Sequence, residues 1–225
     1  MKKDNLLDDI KQIEPLLRDI PKHWDAKTAI MEMKNNNYKQ WKQMEWIGFY
    51  FQYLCENRLK AIMQLQKPRY GKTSFDGLLS CAWDFKAHPI NNDNHDVPAN
   101  DREATKKAIS DYGSTGIILA LGKITYNDED RSFQKWHTEL KGGKSKFEKH
   151  RIERGAWSRL RKMSFDLEEI VFIKVDGSTL KKCGSFQEGF RNSDGSPRRA
   201  KVLLKLNKLT TEIVTLKEIQ KPSER

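Results

Sequence analysis

Between Phe75 and Lys86 the chain reads Phe-Asp-Gly-Leu-Leu-Ser-Cys-Ala-Trp-Asp-Phe-Lys, and three of these residues are of types that support hydrolysis. Side chains alternate faces along an extended strand, so Asp84 and Lys86 point together to one side while Trp83 and Phe85 point to the other. Asp76 reaches the same point if its segment pairs with the next as a hairpin around Ser80. Two carboxylates converging beside a lysine match the needs of metal-assisted phosphodiester hydrolysis. Oxygen ligands suit Mg²⁺, which binds through one or two carboxylates plus substrate phosphate and keeps several waters. A neighbouring lysine can orient or deprotonate the attacking water and offset charge building up on the phosphate. The plain alternative is a salt bridge between Asp84 and Lys86 that merely solvates a sheet face, because Asp-x-Lys is a common triplet.

The elements that must position these residues are legible from periodicity. Residues 5–20 carry Leu6, Leu7, Ile10, Ile13, Leu16, Leu17 and Ile20 at three- and four-residue spacing, an amphipathic helix closed by Pro21. That helix either covers the sheet or helps form a dimer interface. A longer helix is expected over 41–66, with Trp41, Met44, Gly48, Phe51, Cys55, Leu59 and Ile62 on one stripe. Glu45 falls in the same stripe, and a carboxylate there is either functional or paired with an Arg or Lys at the stripe's edge. Residues 74–79 and 81–86 read as two strands, and 91–100 as a polar loop. Asn100 or Asp101 caps a helix that runs to about Tyr112, with Gly113 as its stop. The apolar run 116–121 reads as a strand buried on both faces. Segments 133–140 and 147–163 look helical, and 167–175 and 201–206 look like strands. The sum is an α/β fold, a mixed sheet flanked by helices, in one domain spanning 1–225.

Composition narrows the partners. Of the 225 residues, 37% are apolar and 32% charged, and 42 Lys+Arg against 31 Asp+Glu leave a net charge of +11. Such a balance favours a polyanion, because neutralised phosphates release counterions. No run of about 18 apolar residues is present to span a bilayer. The first residues, Met1, Lys2, Lys3 and Asp4, lack the apolar segment of a signal peptide, so a cytoplasmic protein is expected. Cys55, Cys81 and Cys183 are widely spaced, which fits free buried thiols in a reducing compartment rather than a disulfide framework. His137 and His150 lack the tight spacing of a histidine-metal site.

With these residues in view, the chain resembles the PD-(D/E)XK nucleases in the form carried by type II restriction endonucleases. Phe75-Asp76 followed by Asp84-Phe85-Lys86 carries the likeness. The block from Met44-Glu45-Trp46 to Phe51, the blocks Tyr70-Gly71-Lys72-Thr73 and Trp83 to His88, and the run from Asn100 through Gly113 extend it over about 40–125. The resemblance implies roles. Asp76 matches the invariant metal-binding Asp, Asp84 the second acidic position and Lys86 the catalytic lysine. The Phe85 backbone carbonyl is implied as a further Mg²⁺ ligand, and Glu45 as the helix carboxylate that some members add. Phe75 stands where the family name has Pro, and the gap between the two Asp residues is short, which demands a tight hairpin.

The resemblance also implies double-stranded DNA as partner, a twofold homodimer acting on a palindromic site, and a cognate methyltransferase as functional companion. Basic residues cluster over 141–162 and in the Gly/Ser-rich stretch 177–201, expected as DNA-binding elaborations. Candidate DNA contacts are Lys72, His88, Asn91, Lys181, Lys182, Gln187, Arg191, Asn192, Arg198 and Arg199. Two other readings stay open: a structure-specific or non-specific nuclease of the same core, and a basic nucleic-acid-binding protein without catalysis.

Overall fold

The computed structural model describes residues 5–66, 75–127, 130–156, 160–189, 197, 199–209 and 213–215. In chain order the first elements are α1 (Leu6–Leu17), β1 (His23–Asp25), α2 (Ala26–Asn35), a 3-10 turn at Lys39–Lys42, and α3 (Trp46–Leu59). Then come β2 (Gln64–Leu65), β3 (Gly77–Leu78), β4 (Ala82–Pro89), β5 (Asp96–Asp101), α4 (Arg102–Tyr112) and β6 (Thr115–Asn127). The rest is α5 (Ser132–Leu140), α6 (Lys146–Glu153), β7 (Arg161–Val175), α7 (Gly177–Cys183), β8 (Gly184–Gln187), β9 (Lys201–Lys205), a 3-10 turn at Leu206–Lys208, and β10 (Ile213–Thr215).

Two sheets form. The larger has the order β1-β7-β6-β4-β3-β2, with β10 also paired to β7, and the smaller has the order β5-β9-β8. β4 and β6 run parallel, Asp84 opposite Ile117 and Lys86 opposite Leu119, while the other pairs are antiparallel. A parallel pair needs a crossover, and α4 lies on it. Trp83 fits against β6 because position 116 is glycine: a Cβ there would stand 2.3 Å from the indole ring.

The sheet separates two apolar cores. On one face Trp83, Phe85, Ile118, Ala120 and Phe172 pack with Ile10, Ile13, Ile30, Phe51 and Cys55 from the three N-terminal helices. On the other, Ile117, Leu119, Val171 and Ile173 pack with Val97 and Ala99 of β5 and Val202 and Leu204 of β9. The protein is therefore mixed α/β, a mixed sheet flanked by helices. All three cysteines are free and buried. No helix of the described residues is long and apolar enough to cross a membrane.

Several boundaries differ from the sequence expectation, each for a local reason. The N-terminal helix covers the first core, and it stops at Leu17 rather than running to 20. The helix expected over 41–66 is broken, since Gln43 is extended and Glu45 has φ −85° and ψ 50°, so α3 begins only at Trp46. Part of the expected loop 91–100 is the edge strand β5; Pro98 is tolerated there at a register shift, where a missing N–H does no harm. The basic segment 147–163 is not one helix. Gly155, at φ +65°, follows the end of α6, and Arg161 already opens β7. Strand β7 is longer than 167–175 because it pairs along the whole of β6.

A carboxylate is buried at the turn between β3 and β4. Asp9 of α1 is 1% exposed. Its carboxylate accepts a hydrogen bond from the Trp83 indole N–H at 2.8 Å and from the Ser80 backbone N–H at 3.2 Å. These bonds fasten the turn between β3 and β4 to a helix far away in sequence. Truncation at Asp9 leaves the buried Trp83 indole N–H without an acceptor and releases the Ser80 N–H. Asp9→Ala is expected to destabilise the fold by about 3 kcal/mol, with Asp9→Asn costing less because one acceptor oxygen remains. Urea unfolding midpoints check this, and an Ala variant as stable as the parent would remove Asp9 from its structural role.

Candidate functional site

The tight hairpin that the short Asp-to-Asp gap demands is present. Gly77 pairs with Trp83 and Leu78 with Ala82, and the turn closes with Leu79 N–H donating to the Cys81 carbonyl at 3.0 Å. Strand β3 is only two residues long, and among the described residues no strand pairs with the outer edge of β4 beyond Trp83. The Asp76 side chain fills this gap. Its carboxylate accepts from the Phe85 backbone N–H at 2.7 Å. The N–H and C=O of one strand residue point the same way, so the Phe85 carbonyl faces this open edge as well.

Asp84 and Lys86 share the opposite face from Trp83 and Phe85, as their spacing implies. Lys86 Nζ donates to Asp84 Oδ1 at 2.8 Å, with the lysine side chain 31% and the aspartate 5% exposed. The other oxygen, Asp84 Oδ2, is buried and accepts no hydrogen bond. The Asp84 charge bears on the Asp76 carboxyl and raises its pKa. Two acceptor-only groups thus meet at one spot, which favours a proton or a cation between them.

The electrostatics record this crowding. Burial, followed by the Asp84 charge, pushes the Asp76 carboxyl well above the ordinary carboxylate range, while Lys86 and the Phe85 N–H pull it the other way. For Lys86, burial opposes the charge most strongly, but Asp84 and Asp76 together outweigh it and its pKa is raised. The lysine is an ammonium ion at neutral pH.

Helix α3 supports the pair through residues that the sequence reading missed. Gln52 donates from Nε2 to Asp76 Oδ1 at 2.9 Å and to Glu56 Oε1 at 2.9 Å, and the Tyr38 hydroxyl donates to the same Glu56 oxygen at 3.2 Å. Burial raises the Glu56 pKa. Their signal in the sequence is faint: Gln52 and Glu56 are two polar residues four apart in a mostly apolar helix that also carries Asn57 and Arg58.

Glu45 is placed differently from the expectation. It stands at the start of α3, seven residues or about 10 Å of helix rise from Gln52, and is ion-paired to Lys162. Its side chain is 64% exposed rather than part of a buried stripe. The carboxylate that α3 turns toward Asp76 is Glu56. Among the described residues no third His, Cys, Asp or Glu joins Asp76 and Asp84 closely enough to complete a three-ligand metal cluster.

The candidate DNA contacts scatter. His88 continues the Asp84–Lys86 face of β4, buried, with Nε2 donating to the Asn94 carbonyl at 2.8 Å, and burial lowers its pKa. Asn91 has a structural role: its amide donates to the Ile124 carbonyl at 2.9 Å and accepts from the Ile124 N–H at 3.1 Å, which leaves its second N–H for any other contact. Lys181 and Lys182 are exposed on α7, Gln187 is half-buried on β8, and Arg199 lies 3.6 Å from Asp101. Lys72, Arg191, Asn192 and Arg198 lie outside the described residues. His137 is buried, with Nε2 donating to the Trp41 carbonyl, and burial lowers its pKa to about 4.

No family model, no curated protein and no solved structure matches this chain.

The raised Asp76 pKa gives a signed prediction. A carboxyl that binds its proton more tightly folded than unfolded contributes most below its ordinary pKa, and that contribution is lost as pH rises through the raised value. Asp84→Asn replaces a carboxylate oxygen beside Asp76 with an N–H donor. In EDTA it is expected to be more stable than the parent at about pH 8, by on the order of 1 kcal/mol or more, with the advantage shrinking toward about pH 4. Denaturant unfolding across that range checks it; a variant equally destabilised at every pH would contradict the proposed crowding.

Proposed function

We propose that this chain is a Mg²⁺-dependent DNA endonuclease with a PD-(D/E)XK core, acting as a sequence-specific type II restriction enzyme. One observation carries the reading. Asp76 and Asp84 meet on a hairpin edge, with a buried oxygen of Asp84 lacking any hydrogen-bond donor, and Lys86 stands beside them. A structural salt bridge accounts for the Asp84–Lys86 contact but leaves a second buried carboxylate at that spot unexplained. Asp76, Asp84 and the Phe85 carbonyl would hold the ion, a donor set of hard oxygens suited to Mg²⁺. When bound, Mg²⁺ neutralises charge on the scissile phosphate and makes water easier to deprotonate.

The chain's own groups divide the remaining work. Gln52 and the Phe85 N–H orient Asp76 from two sides, so its carboxylate is fixed before substrate arrives. Lys86, held as an ammonium ion, stabilises negative charge developing on the phosphate rather than removing a proton. Water attack on phosphorus leaves 5′-phosphate and 3′-hydroxyl ends. The net charge of +11 supports a polyanionic substrate. Cutting both strands of a palindrome calls for a homodimer, and host protection for a cognate methyltransferase.

The test is incubation with a large, fully sequenced DNA in Mg²⁺ and in EDTA, beside Lys86→Ala. Discrete fragments that need Mg²⁺ are expected, and Lys86→Ala is expected to lose roughly 10²–10⁴-fold in rate while still binding DNA. A smear would indicate a nuclease without sequence specificity. Salt-sensitive binding with no cleavage of this DNA, of junctions or of RNA would make the chain a non-catalytic binding protein.

A further inference from the structure

Strand β7 opens with a side chain whose environment the proposed reaction does not explain. Arg161 is 9% exposed, yet among the described residues its guanidinium makes no hydrogen bond and no ion pair. The carboxylates that act on it through space, Glu148 and Glu45, are engaged elsewhere. Glu148 lies 3.8 Å from Arg151 and accepts from Gln134 at 3.3 Å, and Glu45 pairs with Lys162. Arg151 and Arg131 add like charge. A guanidinium presents five donors and cannot shed its proton, and those of Arg161 open on a cleft while most of its side chain is buried.

Arg161 lines a cleft of about 650 Å³ together with Lys162, His88, Asn92 and Tyr126, and the carboxylates Glu45 and Asp96 line it too. His88 connects this cleft to the proposed reaction site. It follows Lys86 by two residues on the same face of β4, a step of about 6.6 Å, as Lys86 follows Asp84. A nucleic-acid strand lying over Asp84 and Lys86 and continuing past His88 enters the cleft.

We propose that Arg161 is a phosphate-binding residue, taking a backbone phosphate of the bound DNA strand next to the one cleaved. The assignment rests on the nuclease reading. A guanidinium fits phosphate oxygens in a two-point geometry that an ammonium cannot match. Of the carboxylates in the cleft, Glu45 is held by Lys162, so among the described residues Arg161 is a cation of the cleft with no ion-pair partner. Its emptiness in the free protein is the expected state of a contact made only with substrate.

The experiment measures binding of a mixed-sequence DNA duplex to the full chain in EDTA over a series of salt concentrations, alongside the thermal melting of each free protein. Arg161→Met is expected to melt at the same temperature as the parent or higher, because it removes an unpaired buried charge. The same variant is expected to bind DNA about tenfold more weakly, with a plot of log affinity against log salt shallower by about 0.9. Arg161→Lys is expected to keep the parent's slope and recover part of the affinity. Unchanged affinity and slope in Arg161→Met overturn the proposal, as does a lowered melting temperature in both variants, which marks a structural arginine. If the parent cleaves DNA in Mg²⁺ and Arg161→Met binds normally, the nuclease reading stands and this assignment falls. If the parent binds no DNA, both fall, and melting in inorganic pyrophosphate shows whether Arg161 takes a free anion instead.

Discussion

The Asp9 carboxylate, buried at the turn between β3 and β4 and bonded to Trp83 Nε1 and the Ser80 N–H, is the contact on which the candidate site depends. Strand β3 is two residues long and pairs with β4 at only two positions, too little to hold a hairpin by itself. Fixing the turn from outside lets so short a strand end where it does. Because β3 ends there, the edge of β4 at Phe85 stays open for Asp76 rather than for another rung of sheet. A longer hairpin would satisfy the Phe85 N–H by backbone pairing and carry Asp76 away from Asp84. The position of the acidic pair thus follows from a strand that is kept short and a helix that compensates for its shortness.

Strand β4 lies between two cores, and this explains how charge comes to be buried there. Its Trp83–Phe85 face packs on the helices; its Asp84–Lys86 face belongs to the side covered by β5 and β9. Paired residues on β6, Ile117 and Leu119, contribute to that second core, so Asp84 stands at its rim with little water. Lys86 is long enough to carry its ammonium partly into solvent while keeping its stem against the sheet. The carboxylate has no such reach. The result is one neutralised oxygen and one without a donor on the same side chain, an arrangement that lowers stability in the free protein and favours a cation.

Much of this was legible in the sequence. Alternation in Ala82–Pro89 sorted Trp83 and Phe85 from Asp84 and Lys86, and the cap at Asp101 and stop at Gly113 bounded α4, because each rests on local backbone chemistry. The hairpin around Ser80 followed from the same short-range signals. Contacts between distant segments were not legible. Nothing near Asp9 announces Trp83, 74 residues away. Glu45 was chosen for its place on a stripe, but the chain is not helical at 43–45, so the stripe did not exist there. Gln52 and Glu56 were passed over because α3 is apolar almost all round, and a helix buried on several sides gives no amphipathic face against which two polar residues stand out. Asn91 was assigned to base reading for its amide, which instead pairs with both backbone groups of Ile124.

The Asp84 oxygen, buried without a donor, and the Arg161 guanidinium, with no ion pair among the described residues, are of opposite charge and lie near the same stretch of β4, yet they do not pair with each other. A protein selected for stability alone would gain by joining them or by replacing both with apolar residues. Keeping them apart leaves an acceptor and a donor each short of a partner, along a path marked by Lys86 and His88. A phosphodiester strand with its accompanying cation carries both complements at once: the cation answers the carboxylate, and the next phosphate answers the arginine. The demands at the two ends are of the kinds one polyanionic ligand with bound Mg²⁺ satisfies together, so under the proposed function a single event of binding would meet both.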